Sequence, residues 1–140
     1  GDLLGRAHAE VAKLIEPGVN TARLNVRAEE YIQDHGGWPS FKNFNGFPAG
    51  LCVSVNEKVV HGIPGAYELR EGDIISVDCG VLLNGFHSDS AYTYPVGDVA
   101  PKVMELLEVT KKSLEVAIKS VVLGARVGDI GFSIQQYVSK

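Results

Sequence analysis

The sequence predicts an α+β fold, an antiparallel sheet with flanking helices, and three observations carry the prediction. Asn84-Gly85 separates two runs of strand-forming residues, 73–83 and 86–94. That dipeptide is the strongest short hairpin signal, because a type I′ turn needs positive φ at both central residues. Apolar residues recur at helical spacing on either side of the hairpin, as Leu3, Leu4, Ala7 and Val11 before it and Val103, Leu106, Leu107 and Leu114 after it. The helical pattern is also duplicated. Glu10-Val11-Ala12, Gly18, Leu24, Ala28, Tyr31 and Ile32 recur as Glu115-Val116-Ala117, Gly124, Ile130, Ile134, Tyr137 and Val138, with one residue gained between. Residues 1–98 are therefore expected to form a first half, a helix pair and its strands. Residues 99–140 are expected to be the opening helices of a related second half, making the chain an incomplete copy of a two-half fold.

The first helix carries Leu3, Leu4, Ala7, Val11, Leu14 and Ile15 on one side and is expected to run to Pro17-Gly18. The second is expected from Thr21, as its cap, to His35, with Gly36-Gly37 ending it. Residues 38–50 have the glycine and proline punctuation of a loop but are unusually apolar, with Trp38, Phe41, Phe44 and Phe47. A short strand is expected over Leu51–Val55, an extended stretch at Val59-Val60-His61, and turns at Pro64-Gly65 and Glu71-Gly72. After the hairpin, Pro101 suits the first position of a long helix ending at Gly124. A last helix is expected from about Asp129.

Composition restricts the function classes. The chain has 140 residues, 45% hydrophobic and 21% charged, with a net charge of −4, so no basic footprint for nucleic acid or an anionic membrane is present. Its two cysteines, Cys52 and Cys79, match no zinc-ribbon or CxxC spacing and suit a reducing, cytoplasmic setting. No run of about 18 apolar residues and no signal-peptide pattern occurs.

The chemistry concentrates on the hairpin. If Asn84-Gly85 is the whole loop, Leu83 faces Phe86, Asp78 faces Ala91 and Asp89 faces Gly80. Both carboxylates then share one face as diagonal neighbours, roughly 7 Å apart or somewhat less. Ile75, Val77, Cys79, Val81 and Leu83 form an apolar row on the other face. A register slip of one residue would send Asp89 to the wrong side. Two close carboxylates repel unless a proton or a cation neutralises them. Beside Ile74, Leu82 and Gly80 the pair reads as a nascent metal site, against the alternative of two solvated strand aspartates. His61, followed by Gly62 and close to Pro64, is placed where its ring can face a cleft or hydrogen-bond to backbone. His87, opposite Leu82, reads as structural support. Phe41, Phe44, Phe47 and Trp38 suit either a pocket or the anchoring of a loop.

Three motifs in order, Asn56-Glu-Lys-Val-Val-His61-Gly-Ile-Pro64, Gly72-Asp-Ile-Ile-Ser-Val-Asp78 and Gly85-Phe-His-Ser-Asp89, resemble those of the type I methionine aminopeptidases. The resemblance extends over essentially the whole chain. It implies a pita-bread (creatinase/aminopeptidase) fold of two related halves. It further implies a cytoplasmic hydrolase, a monomeric metalloexopeptidase that removes the initiator methionine from nascent polypeptides by attack of a metal-activated water or hydroxide. Two divalent ions (Co, Mn or Fe, with Zn as a further candidate) are implied, and a monovalent cation near the backbone of Asn56 and Lys58. By the same resemblance Asp78 holds one metal and Asp89 bridges both. His61 contacts the substrate and stabilises the transition state, and Phe41, Phe44, Phe47 and Cys52 line the methionine pocket. Implied partners are nascent-chain N-termini and the ribosome, with no direct nucleic-acid or membrane contact.

The chain departs from the family pattern in one respect. A histidine in a Gly-His-Gly context and two glutamates, the family's other metal ligands, have no counterpart here, and no histidine follows His87. The 140 residues alone are therefore expected to be inactive. Two other functions compete: a proline-directed peptidase on the same fold, and a non-catalytic pita-bread protein that binds a partner through its cleft.

Overall fold

In the computed structural model, which describes residues 1–139, the elements are α1 (Asp2–Ala12), α2 (Thr21–Asp34), β1 (Trp38–Pro39), β2 (Leu51–Val55), β3 (Ile74–Leu83), β4 (Phe86–Pro95), α3 (Pro101–Lys119) and α4 (Val127–Val138). They fall into two compact units divided between Val99 and Ala100.

In the first unit β3 is the central strand. Asn84 and Gly85 take φ of 52° and 80°, and the hairpin they close has the two-residue register, with Leu83 opposite Phe86, Asp78 opposite Ala91 and Gly80 opposite Asp89. β4 occupies one edge of β3 along its full length. β2 and β1 share the other edge in succession, β2 against Ile75–Cys79 and β1 against Val81 and Leu82. All pairs are antiparallel. The alternation of β3 divides the sheet as its sequence requires: Ile75, Val77, Cys79 and Val81 are buried, while Ile74, Ser76, Asp78 and Leu82 face the other way.

α1 and α2 close the apolar face. Leu3, Leu4, Ala7 and Val11 from α1 and Leu24, Ala28 and Ile32 from α2 join the four buried β3 residues in one core. Each fully buried leucine, isoleucine or valine there contributes about 1.5–3 kcal/mol by leaving water, which makes the face bearing β3's apolar row the fixed side of the sheet. The carboxylate face is held in place by default, since a slip of one residue would bury Asp78 in this core.

Several elements differ from expectation. α1 stops at Ala12, and Leu14 and Ile15 follow in turns whose amides donate to Val11 and Ala12 carbonyls. The cap of α2 is Asn20, whose Oδ1 accepts from Arg23 N at 2.9 Å. Thr21 instead clasps Gly65: its hydroxyl donates to Gly65 O and accepts from Gly65 N. β1 is an added strand inside the apolar loop. Its proline is tolerated because β1 is a two-residue edge strand with no ladder to continue. Residues 59–61 form no strand. They make an irregular path into Gly62, which is bonded to β2 by Val53 N donating to Gly62 O and Gly62 N donating to Ser54 Oγ.

In the second unit α3 and α4 form a helical hairpin closed around Ser113 and Ala117, with Ser133 Oγ donating to Ser120 Oγ at 3.3 Å. α3 ends at Lys119, before Gly124 with its φ of 89°. α4 starts two residues earlier than expected, because Asp129 works inside the helix: its carboxylate accepts from Arg126 N and completes a capping box.

Candidate functional site

The hairpin register brings the two predicted carboxylates together. Asp78 and Asp89 line a single cavity of about 540 Å³, which lies entirely in the first unit. Asp78 Oδ1 is buried with no hydrogen-bond partner. Burial pushes the Asp78 carboxyl up to about 6, the facing Asp89 carboxylate adds to the rise, and His61 opposes it. A buried acceptor without a donor costs about 1–3 kcal/mol, so this oxygen is a polar atom held ready for a group that neutralises it.

The aromatic loop supplies the cavity's apolar wall. Asn43, Asn45 and Gly46 take φ of 67°, 48° and 81°. Asparagine and glycine are the residues that enter this left-handed region routinely. Their reversals fold the segment into a tight knot closed by Asn43 N donating to Phe47 O at 2.8 Å and Phe44 N donating to Phe41 O at 2.9 Å. Phe41, Phe44 and Phe47 are thereby turned into one cavity. Phe44 is 67% exposed, so it is a wall of the cavity and anchors nothing in the core.

Gly80 has a different role from the one its place beside the carboxylates suggests. A Cβ there would lie 2.7 Å from Phe41 Cε1 and 2.9 Å from Ser40 Cβ. The space it leaves on the carboxylate face is filled by Phe41, so the glycine lets the aromatic loop lie flat on β3. His87, opposite Leu82, hydrogen-bonds with Ser40 Oγ through Nδ1 at 2.9 Å and supports the same loop.

Cys52 is the cross-strand partner of Asp78 and shares the cavity. Burial pushes its thiol up to about 11, with the two aspartates adding to the rise. At neutral pH it is a small apolar wall element with no nucleophilic thiolate. His61 reaches the cavity from the irregular 59–63 segment with φ of 57°, an uncommon conformation for a side-chain-bearing residue. Gly62 is required next to it: a Cβ there would sit inside the Val53 carbonyl group.

Seven of the residues singled out in the sequence, Phe41, Phe44, Phe47, Cys52, His61, Asp78 and Asp89, therefore line one cavity, while Trp38 stands outside its lining, half-exposed in β1. Asn45, Gly46, Pro48 and Ile63 complete it and carry no sequence signal beyond their neighbours. Near Asn56 the side chain is fully engaged, Nδ2 donating to Asp73 Oδ1 at 2.8 Å and Oδ1 accepting from Ile74 N at 3.0 Å. The Asn56 side chain is therefore already committed within the fold.

The donor chemistry fits a hard divalent cation in part. Asp78 and Asp89 offer carboxylate oxygens, one of them buried and unpartnered, to the cavity they line. Among the described residues no group of three or more histidine, cysteine, aspartate or glutamate side chains is arranged to hold a metal.

Comparison with known proteins identifies the family. The sequence model of metallopeptidase family M24 matches residues 1–140, and the chain belongs to that family. It is 47% identical over 138 residues to the methionine aminopeptidase of Clostridium perfringens, covering 99% of this chain and 55% of that protein. It is 48% identical over 138 residues to methionine aminopeptidase 1 of Bacillus subtilis, covering 99% of this chain and 56% of the relative. The structure superposes on the crystal structure of methionine aminopeptidase from Rickettsia prowazekii with a TM-score of 0.96 at 37% identity, over 98% of this chain and 55% of the other. The pita-bread architecture is thus shown, and the chain spans about half the length of the relatives it matches. Use of a divalent metal goes with membership of this metallopeptidase family. No helix among the described residues is long and apolar enough to cross a membrane.

Proposed function

We propose that these residues serve a methionyl aminopeptidase, a hydrolase that releases N-terminal methionine from nascent polypeptides. One observation carries this: a single cavity is lined by a carboxylate pair, three phenylalanines and a histidine. The phenylalanine wall suits a thioether, since sulfur–aromatic contacts contribute roughly 0.3–1.5 kcal/mol each. Its relatives at 47–48% identity bear the name methionine aminopeptidase.

Asp78 and Asp89 would both serve as ligands to the divalent cations. Oxygen donors favour Mn²⁺, Fe²⁺ or Co²⁺, with Zn²⁺ as a further candidate. When bound, such ions polarise the peptide carbonyl and provide a nucleophile at neutral pH. The remaining work falls to side chains of this chain. Phe41, Phe44 and Phe47 hold the substrate side chain and exclude water, and Cys52 closes the pocket's base. His61 hydrogen-bonds to the reacting amide, where an imidazole helps most as charge develops on oxygen. Backbone carbonyls near Asn56 and Lys58 would take a monovalent cation. The protein would work as a cytoplasmic monomer on chains leaving the ribosome.

A proline-directed peptidase is disfavoured because the relatives at 47–48% identity bear the name methionine aminopeptidase. A non-catalytic partner-binding protein has no use for an unpartnered buried carboxylate oxygen. The test is methionine release from Met-Ala-Ser by the protein carrying these residues, with Mn²⁺, Fe²⁺ or Co²⁺ supplied. Cleavage of methionine in preference to leucine or lysine is expected, and His61→Ala should lower kcat strongly with metal content intact. Tight peptide binding with no cleavage under any metal would select the partner-binding alternative.

A further inference from the structure

The aromatic loop is gripped at both ends by one helix face. At its end, Asn25 Oδ1 accepts from Gly50 N at 2.9 Å and from Leu51 N at 3.0 Å, and Glu29 Oε1 accepts from Gly50 N at 2.9 Å. At its start, Lys42 pairs with the other oxygen of Glu29. Asn25 and Glu29 also bond to each other, Asn25 Nδ2 donating to Glu29 Oε1 at 3.0 Å. Every polar atom of the two side chains is thus committed to the loop or to its partner. Glu29 is largely shielded from solvent, with 15% of its side chain exposed, so this ion pair is screened less than a surface pair. Gly50 is fitted to the clamp, because a Cβ there would lie 2.7 Å from Glu29 Cγ and 3.0 Å from Pro39 Cβ.

Between the two gripped points lie Asn43 to Ala49, including Phe44, Phe47 and Pro48 of the cavity wall. Nothing in Asn25, Glu29 or Lys42 touches that cavity. We propose that Asn25 and Glu29 of α2, with Lys42, are positioning residues that fix the width of the apolar pocket, and so its preference among side chains, by fixing the separation of the loop's ends. The loop's own hydrogen bonds close its turn, and the two gripped points set where that turn, with Phe44 and Phe47, stands against the rest of the unit. The inference rests on the reading that this pocket takes the substrate's first side chain.

The experiment uses the 140-residue chain and its Glu29→Gln, Asn25→Ala, Lys42→Ala and Lys42→Arg variants. Amide exchange is followed by NMR, and L-methioninamide and L-leucinamide are titrated as probes. Expected is faster exchange at Asn43, Phe44 and Phe47, on the order of tenfold, in the first three variants while α1 amides are unaffected. The affinity ratio of the two probes should fall toward one in those variants and be restored in Lys42→Arg, which keeps the charge on Glu29. Unchanged exchange in the loop, or equal acceleration in α1 and the loop in all three variants, overturns the clamp. A changed loop with an unchanged probe ratio overturns its role in selectivity. If the unaltered chain does not discriminate between the probes, the pocket assignment fails, and loop exchange still decides whether the clamp exists.

Discussion

Gly80 and Phe41 meet so closely that a methyl group on the glycine would stand 2.7 Å from the Phe41 ring. The ring is half-buried and rim atoms of the cavity depend on it, so the contact joins strand packing to pocket shape. Gly80→Ala should push the ring outward. Overpacking of this kind typically costs about 1–3 kcal/mol. Urea denaturation should show that loss, and methioninamide binding should weaken with it. A variant of undiminished stability would mean that Phe41 swings aside freely and does not define the wall.

His61 holds φ of 57° between β2 and the irregular 62–65 segment. A left-handed conformation is disfavoured for any residue with a Cβ, and glycine enters it without that cost. His61→Gly should therefore be more stable than His61→Ala by about 1 kcal/mol in denaturant unfolding. Equal stabilities would show that the segment relaxes once the imidazole is gone. The histidine itself would then be what imposes the backbone conformation.

Asp73 ties the start of β3 to two loops. Its carboxylate accepts from Asn56 Nδ2 at 2.8 Å and from Tyr67 Oη and Arg70 N at 2.9 Å each. Burial works to raise its carboxyl, but these hydrogen bonds outweigh it and hold the group below the usual range. The folded chain therefore keeps Asp73 ionised at a lower pH than the unfolded chain does. The stabilisation is fully present above the unfolded value of about 3.9 and is lost as pH falls through the folded value. Asp73→Asn should be less stable than the native sequence by at least about 1.5 kcal/mol at pH 7. That gap should stay flat between pH 5 and 8 and narrow below about pH 4 in thermal melts. A gap that persists unchanged into acid would assign the loss to shape and not to charge.

The hairpin, its register and the shared face of Asp78 and Asp89 were legible because they depend on local chemistry: an Asn-Gly turn and a period of two. The convergence of Phe41, Phe44, Phe47, Cys52, His61 and the aspartates was legible only through the resemblance, since spacing allowed the aromatics to be core anchors equally well. β1 was hidden by its proline, which reads as punctuation until the strand is seen to be an edge of two residues. The clamp of Asn25, Glu29 and Lys42 gave no signal. Its members are distant in sequence, and a polar pair four residues apart on a helix ordinarily reads as a solvated face. Thr21 was misplaced as a cap for a similar reason: its true partner, Gly65, is 44 residues away.

Phe44 and Phe41 should separate stability from recognition. Phe44 is 67% exposed at the cavity's mouth, whereas Phe41 is half-buried against Gly80. Phe44→Ala removes little packing and should change stability by no more than about 0.5 kcal/mol, as surface substitutions generally do. It should still weaken discrimination between methionine and leucine side chains. Phe41→Ala should be destabilising as well, by about 3 kcal/mol or somewhat less given its partial exposure. Denaturant unfolding and probe titration on the same samples provide both readings. A Phe44→Ala variant that binds both probes unchanged would place the recognition surface deeper, at Phe47 and Cys52.

Asp78 and Asp89 should bind a divalent cation detectably but weakly in the 140-residue chain. Their carboxylates crowd one another, and Asp78 Oδ1 has no donor to relieve it. A cation that bridges them would remove both penalties. Yet among the described residues no third histidine, cysteine or carboxylate joins them, so the ion would keep most of its water. Calorimetric titration with Mn²⁺ or Co²⁺ should give shallow binding of a single ion and no hydrolysis of Met-Ala-Ser. Asp78→Asn should melt at a higher temperature than the native sequence in the absence of metal, because it removes the crowded charge. It should also lose the upward shift that Mn²⁺ gives the native chain, since a ligand stabilises only the state that binds it. Tight binding of two ions with turnover would show that further donors, His87 being the nearest histidine in sequence to Asp89, swing in to complete the site. A native chain whose melting temperature ignores Mn²⁺ altogether would mean that the carboxylate pair is neutralised by a proton and not by a metal.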